Sequence, residues 1–290
     1  MHPYRTLATV CVLFVIAGLM AGCSSARFAY SNGETLSYWW LDKYVAFDSS
    51  QSLFVKRELV TLFAWHRKTQ LPDYVLFLRQ AQSRADKPVS EAELQNDYLY
   101  IKKNILILTD QALPLLAGLA LSLSPEQIDN IQKQFAKNND DYRKDHLRGD
   151  LEKHQRYRYK KTLQQAENWF GSFDQQQQHE IRDASNARPL NNEFVLAYRM
   201  QRHAATLALL RKIQSEKPSR DVAMTMIRSH VVASLERSQS SGRKEFFDAF
   251  RVSSIRMTAT IINGTTPAQQ SHFVQTTQRW IDDFIALSSL

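Results

Sequence analysis

Apolar residues recur at spacings of three and four along most of the chain, and the alternating pattern of a β-strand is rare. Glycine is scarce, with eight residues in 290. Both features favour helices, because the first matches the period of a helix and the second removes the residue that most often interrupts one. The sequence therefore predicts an all-α protein, a bundle or array of about nine to eleven helices.

Capping motifs mark where several of these helices begin. Ser124-Pro125-Glu126-Gln127 combines a capping serine, a first-turn proline and a glutamine three residues after the cap, and 266–269 repeats the arrangement. Residues 90–93 and 174–177 are variants of it. These similar starts hint at stacked helix pairs, but without a fixed period, so a solenoid is only a minor alternative.

The pattern predicts the following helices: about 49–69, a short helix from Pro72, 91–121 with a kink at Pro114, 125–147, 151–170, 175–186, 191–214, 219–238, 243–262 and 267–288. The residues expected to point inward include Leu53, Leu59, Leu62, Phe63, Leu94, Tyr98, Ile101, Ile105, Leu108, Leu151, Tyr198, Val222, Phe250 and Ile261.

The N-terminus has the layout of a secretory signal. An uncharged apolar run follows Arg5, and Ala21 and Gly22 precede Cys23. The run is too short to span a bilayer, which needs about 20 residues. We expect residues 1–22 to be a cleaved signal peptide and 23–34 to be an N-terminal tether.

The residues Met20-Ala21-Gly22-Cys23 resemble a bacterial lipobox, with Met20 in place of the usual leucine. The resemblance implies that the Cys23 sulfur receives a diacylglycerol and the new amine an acyl chain such as palmitate. Ser24 and Ser25 favour sorting to the outer membrane, on its periplasmic side. A soluble secreted protein and an uncleaved anchor are the alternatives. Since Cys11 would leave with the signal, the sequence offers no internal disulfide and no thiol chemistry.

The net charge is +8, and loss of Arg5 would leave 36 − 29 = +7. In a cell envelope this favours anionic lipid head groups over nucleic acid as partners, although a positive charge also aids solubility. The most basic segment is 143–161. It could contact anionic lipid or a partner, but we favour the alternative that it is a solvated helix face. The candidate residues there are Arg156, Arg158, Lys160 and Lys161.

Two aromatic segments are candidates for a partner surface. Trp39 and Trp40 lie in the first, and we favour a core location over a membrane interface or a partner surface. Trp65 and His66 lie in the second, where the basic residues suit a helix C-terminus. His66 could act as a base only with a partner, and Asp42 is a possible one.

Searches for catalytic motifs find no phosphate-binding loop, no zinc-protease motif and no nucleophile elbow. Two pairs one helical turn apart, His179 with Asp183 and Asp150 with His154, offer only two ligands each, and we interpret them as solvated faces. The sequence predicts no cofactor, no metal and no enzyme activity. The oligomeric state is not readable.

Residues 35–290 are expected to form one helical domain, with two lobes joined near 171–174 as the alternative. The lipobox, RFAY, YWWLDKY, AWHRKTQLP and residues 112–128 resemble an uncharacterised family of Gram-negative lipoproteins known as a domain of unknown function. The resemblance implies a helical body tethered in the periplasm and brings no catalytic residues. We expect a scaffold or adaptor with an envelope protein partner; the alternative is a lipid- or polysaccharide-related enzyme or carrier with a site near His66 and Asp42.

Overall fold

The computed structural model describes residues 27, 30–236 and 241–289, and for 241–243 the backbone only. Within these ranges the chain forms ten α-helices and no strand, so the predicted all-α class is confirmed. The helices are α1 (Gly33–Val45), α2 (Ser49–Gln82), α3 (Glu91–Ser122), α4 (Pro125–His146), α5 (Leu151–Phe170), α6 (Gln175–Asn186), α7 (Asn192–Glu216), α8 (Arg220–Glu236), α9 (Ser241–Asn263) and α10 (Pro267–Ser288).

The predicted break before Pro72 was wrong, because α2 runs through this proline without interruption. Proline removes one backbone donor and leaves the carbonyl of Lys68 without its helical partner. Both Pro72 and Lys68 are exposed, so water can satisfy that carbonyl. Gln70 and Leu71 are buried on the opposite side and hold the helix against its neighbours.

Several residues predicted to point inward are exposed instead. Leu53 is 73% exposed, and the same correction applies to Tyr98, Ile101, Ile105, Leu151 and Val222. The apolar stripes of α2 and α3 extend beyond the cores that these helices help to build. In α3, for example, the buried apolar residues begin only at Leu113.

The first core lies among α1, α2, α3 and α4, with a contribution from α7. Val45, Val55, Leu119 and Ile128 represent the four helices in it. The second core lies among α5, α6 and α9, with Phe273 of α10 packed against it. Residues on both sides of 171–174, such as Phe170 and Ile181, lie in this second core.

The two cores are built by the same arrangement of four helices. In the first unit α1 contacts α2 and α4, and α2 contacts α3; in the second α5 contacts α6 and α10, and α6 contacts α9. Short motifs occupy matching places: 47–51 reads FDSSQ and 173–177 reads FDQQQ, while 124–127 reads SPEQ and 266–269 reads TPAQ. Counted from these capping residues, core positions also match: Val55 with Ile181, Leu115 with Met257 and Leu119 with Ile261. The fold therefore contains a duplicated four-helix unit.

Each unit is closed by a reciprocal pair of glutamines. The side-chain amide nitrogen of Gln51 donates to Gln127 Oε1 at 3.0 Å, and that of Gln127 donates to Gln51 Oε1 at 2.6 Å. Both oxygens also accept from the backbone N–H of their own helix cap. Both nitrogens also donate to a carbonyl two residues before the partner's cap, that of Ser122 for Gln51 and that of Ala46 for Gln127. Gln177 and Gln269 repeat this arrangement at 2.8 and 3.1 Å.

The remaining helices and contacts join the two units. α7 and α8 pack on α3 around Ala117, Ile213 and Ala223. The most extensive helix contact is between α2 and α10, and α3 also contacts α9. At one end the Asn263 side chain bonds both the N–H and the carbonyl of Val89. Whether the whole should be counted as one domain stays a prediction.

We predict that Gln127→Ala lowers the free energy of unfolding by about 2–4 kcal/mol, since it leaves several buried polar groups without partners. Urea denaturation followed by circular dichroism measures this. Gln80→Ala, on the exposed face of α2, is the matched control and should change stability by less than about 0.5 kcal/mol. Equal stability of the two variants would contradict the role assigned to the pair.

Candidate functional site

The outer face of α1 carries an exposed aromatic stripe. Leu36, Trp39, Trp40 and Lys43 are spaced by three and four residues, so they lie on one side of the helix. Trp39 and Trp40 are 61% and 60% exposed, and the favoured core location was wrong for both. The reason is that α1 packs on α2 and α4 through its other residues, such as Tyr44.

The N-terminal segment is held on the body of the protein. Arg27 forms an ion pair with Asp283 of α10, with its Nη2 2.8 Å and its Nε 3.1 Å from Asp283 Oδ1. Asp283 is buried, so this pairing supplies the charge partner that a buried carboxylate requires. Cys23 lies outside the described residues.

His66 lies in an aromatic cluster rather than beside Asp42. Its Nδ1 is 2.7 Å from the hydroxyl of Tyr30, and its ring contacts Trp65 and Tyr74. Burial, followed by the charge of Arg67, lowers the pKa of His66; burial also raises the pKa of Tyr30 to about 12. The ring is therefore neutral at neutral pH.

Asp42 is at the other end of the α1–α2 hairpin. Its carboxylate accepts from the N–H of Phe47, close to the turn between the helices. The Tyr38 hydroxyl meets Ser52, and Ser52 is about 21 Å from His66 along α2. The structure does not bring the two proposed partners together.

The four basic candidates on α5 do not share one environment. Arg156 is exposed and pairs with Glu152 at 3.1 Å. Lys160 and Lys161 are exposed, and Lys161 lies 6.0 Å from the centre of the Tyr157 ring. Arg158 differs: it is half-buried and donates to the carbonyls of Pro189, Ser185 and Arg188 at 2.7–3.0 Å. Arg158 therefore holds the loop between α6 and α7, and its contact with an anion stays a prediction.

The helix α3 is the one described helix that is long and apolar enough to cross a membrane, and 28% of its most apolar segment is buried. The second half of α3 contributes to the protein core. Leu119 lies in the first core, and Leu113 lies where α7 and α8 pack on α3. By itself this is weak evidence of a membrane span. Its first half leaves an apolar surface uncovered, formed by Tyr98, Leu99, Ile101 and Ile105.

The two acid–histidine pairs lie at the surface. His179 Nδ1 is 3.3 Å from Asp183 on an exposed face of α6. Asp150 caps α5 through the N–H of Lys153, and His154 contacts the carbonyl of Arg148 instead. Within the described ranges no three His, Cys, Asp or Glu side chains are grouped as metal ligands would be.

With this geometry in place, comparison with known proteins defines the class. Residues 43–231, more than half of the chain, match the model of a family of unknown function, DUF6279. The protein belongs to this family. No curated protein matches the chain, and no solved structure matches it.

We predict that the protein loses stability as the pH falls below about 6.5. Burial is the main cause that lowers the pKa of His66, and it does the same for His203 and His230. The unfolded chain therefore binds more protons in this range, and the stability present above it is lost on acidification. Urea midpoints at about pH 7.5 and about pH 5.5 check this, and His203→Gln should reduce the difference between them. A midpoint independent of pH would contradict it.

Proposed function

We propose that the protein is a lipoprotein of the outer membrane, anchored through Cys23 on the periplasmic side, and that it acts without catalysis as a scaffold or adaptor for an envelope protein. The observation that carries the proposal is the ion pair between Arg27 and Asp283. It fixes the chain four residues after Cys23 on the folded body, so the anchor holds the body against the bilayer rather than at the end of a long linker.

The aromatic stripe of α1 fits this orientation. Tryptophan is enriched at membrane interfaces, where its ring is apolar and its N–H meets water. Trp40 lies about 10 Å along α1 from Gly33, and Gly33 packs on Phe63 beside the N-terminal segment. Lys43 continues the stripe and suits anionic head groups. Membrane contact thus involves both the lipid and this face of α1.

The adaptor role is supported by the uncovered apolar surface on the first half of α3. Tyr98, Ile101 and Ile105 are spaced by three and four residues and so share one face of α3, and exposed apolar faces of this kind mark sites of interaction. An enzyme site built on His66 and Asp42 receives no support, because the two lie at opposite ends of a hairpin.

We predict that mass spectrometry of protein from native membranes finds an acylated Cys23 at the mature N-terminus, and that Cys23→Ala moves the protein to the soluble fraction. An intact leader or an unmodified Cys23 would overturn the anchor.

We predict that vesicle lipids with a spin label at the head group quench the fluorescence of Trp39 and Trp40 in the anchored protein. Trp39→Phe with Trp40→Phe should remove most of the quenching. Trp169→Phe is the control, since Trp169 packs against Trp280 and Phe273 and should be poorly accessible to the label. Quenching that survives the double replacement would refute contact through α1.

We predict that a photoreactive residue at position 101 on α3, introduced in living cells, forms a discrete adduct with an envelope protein. The same residue at position 160 on α5 is the exposed control and should not form that adduct. Labelling at position 101 of lipid alone, or of nothing, would contradict the adaptor role.

A further inference from the structure

A pocket of about 350 Å³ opens where the end of α4, the start of α5 and the loop between α6 and α7 meet the first turns of α7 and α9. Ligand pockets range from about 300 to 1,000 Å³, so this one would hold a single small group or chain. The side formed by α9 carries Phe246, Phe247 and Phe250, and Leu190 and Val195 extend this apolar wall.

The side formed by α4 and α5 carries polar side chains beside two aromatic ones, Tyr142 and Tyr157. Lys153, His154 and Arg158 line it, together with His146. Asp145 is the one acidic side chain among the lining residues that the structure describes, and it is exposed. The pocket is thus mainly apolar, with two cations, Lys153 and Arg158, against one exposed acid at its α4 and α5 side.

The charge behind this wall is unbalanced. Arg158 and Arg188 are both half-buried, and neither forms an ion pair with a carboxylate within the described part of the chain. The Nε of Arg158 is buried and has no hydrogen-bond partner there. Burial, followed by the charge of Arg188, lowers the pKa of Arg158 to about 10. An anion at this wall would offset the uncompensated charge of the two guanidinium groups.

We propose that this pocket binds an anionic amphiphile, with its single apolar chain against the α9 phenylalanines and its carboxylate or phosphate head beside Lys153 and Arg158. The apolar wall accounts for the chain, because removing apolar surface from water stabilises the complex. The basic wall accounts for the head, because charge-assisted hydrogen bonds favour an anion over an alcohol.

This site goes beyond the proposed scaffold role and does not depend on the anchor, since it is formed within the folded body. A missing lipid on Cys23 would leave the pocket unchanged, and an empty pocket would leave the anchor unchanged.

The test uses the full-length lipoprotein in neutral phosphatidylcholine vesicles and dodecyl phosphate that carries a diazirine at the end of its chain. Illumination should label peptides containing Phe246–Phe250, and the labelling should saturate. Unlabelled dodecyl phosphate should compete, whereas dodecanol and dodecyltrimethylammonium should not. If dodecanoate competes equally, the head-group site accepts any anion; if it does not, the site selects phosphate.

Two pairs of variants test the apolar side and the basic side of the pocket separately. Leu190→Trp fills the apolar side and should raise the half-saturating concentration by about tenfold or more, whereas Leu53→Trp, the same change at an exposed position of α2, should leave it unchanged. Lys153→Gln should raise it by about threefold to tenfold for the anionic probe, by weakening the attraction to its head. Lys160→Gln, on the same helix outside the pocket, should have no effect.

Labelling that does not saturate, or that is unaffected by both Leu190→Trp and Lys153→Gln, overturns the site. Competition by dodecanol as strong as that by dodecyl phosphate overturns the anionic selectivity. Circular dichroism verifies that Leu190→Trp is folded. If it is not, Lys153→Gln still tests the site, because Lys153 is exposed and its replacement should not disturb the fold.

Discussion

The architecture depends on one interaction made twice, the reciprocal amide pair between two helix caps. Gln51 and Gln127 each satisfy the N–H of their own cap and then reach across to the partner helix. A capping box alone fixes the start of one helix. The glutamine pair fixes the positions of two helix starts relative to each other, because neither helix can shift without breaking buried hydrogen bonds. Gln177 and Gln269 impose the same constraint on the second unit.

Aromatic contacts link the two units across the α2–α10 contact. Rings in contact run from His66 through Tyr74, Phe284 and Trp280 to Trp169. His66, first considered as a base, is thus one member of a packed series that also includes the N-terminal Tyr30. The same packing places Tyr30 against α2, while Arg27 pairs with Asp283 of α10.

The sequence was sufficient for the helices, since capping motifs and three-four spacing are local signals. It predicted 151–170 and 175–186 with the bounds that the structure has. It was less informative about which face of a helix is covered: Trp39, Leu53 and Ile101 have apolar spacing but are exposed. That information lies in the packing order, which no local pattern encodes.

The candidate sites, like the helix faces, were only partly predictable from the sequence. The basic segment 143–161 was visible as a charge cluster, but nothing in it showed that Arg158 turns inward while Lys160 stays outside. The pocket itself needs Phe246 and Phe250, which lie about 100 residues further along the chain. The repeated F-D-x-x-Q motif at 47–51 and 173–177 is a signal of the duplication that the sequence itself carries.

The order of the helices has a consequence for a chain that is synthesised N-terminus first. The first glutamine pair is complete once residue 127 has emerged, whereas the second must wait for residue 269. Before α10 is present, the side of α2 that packs on it is uncovered, and Arg27 lacks its ion-pair partner Asp283. The first unit can therefore complete its glutamine pair early, but its helix α2 stays partly uncovered until α10, the last helix, has been added.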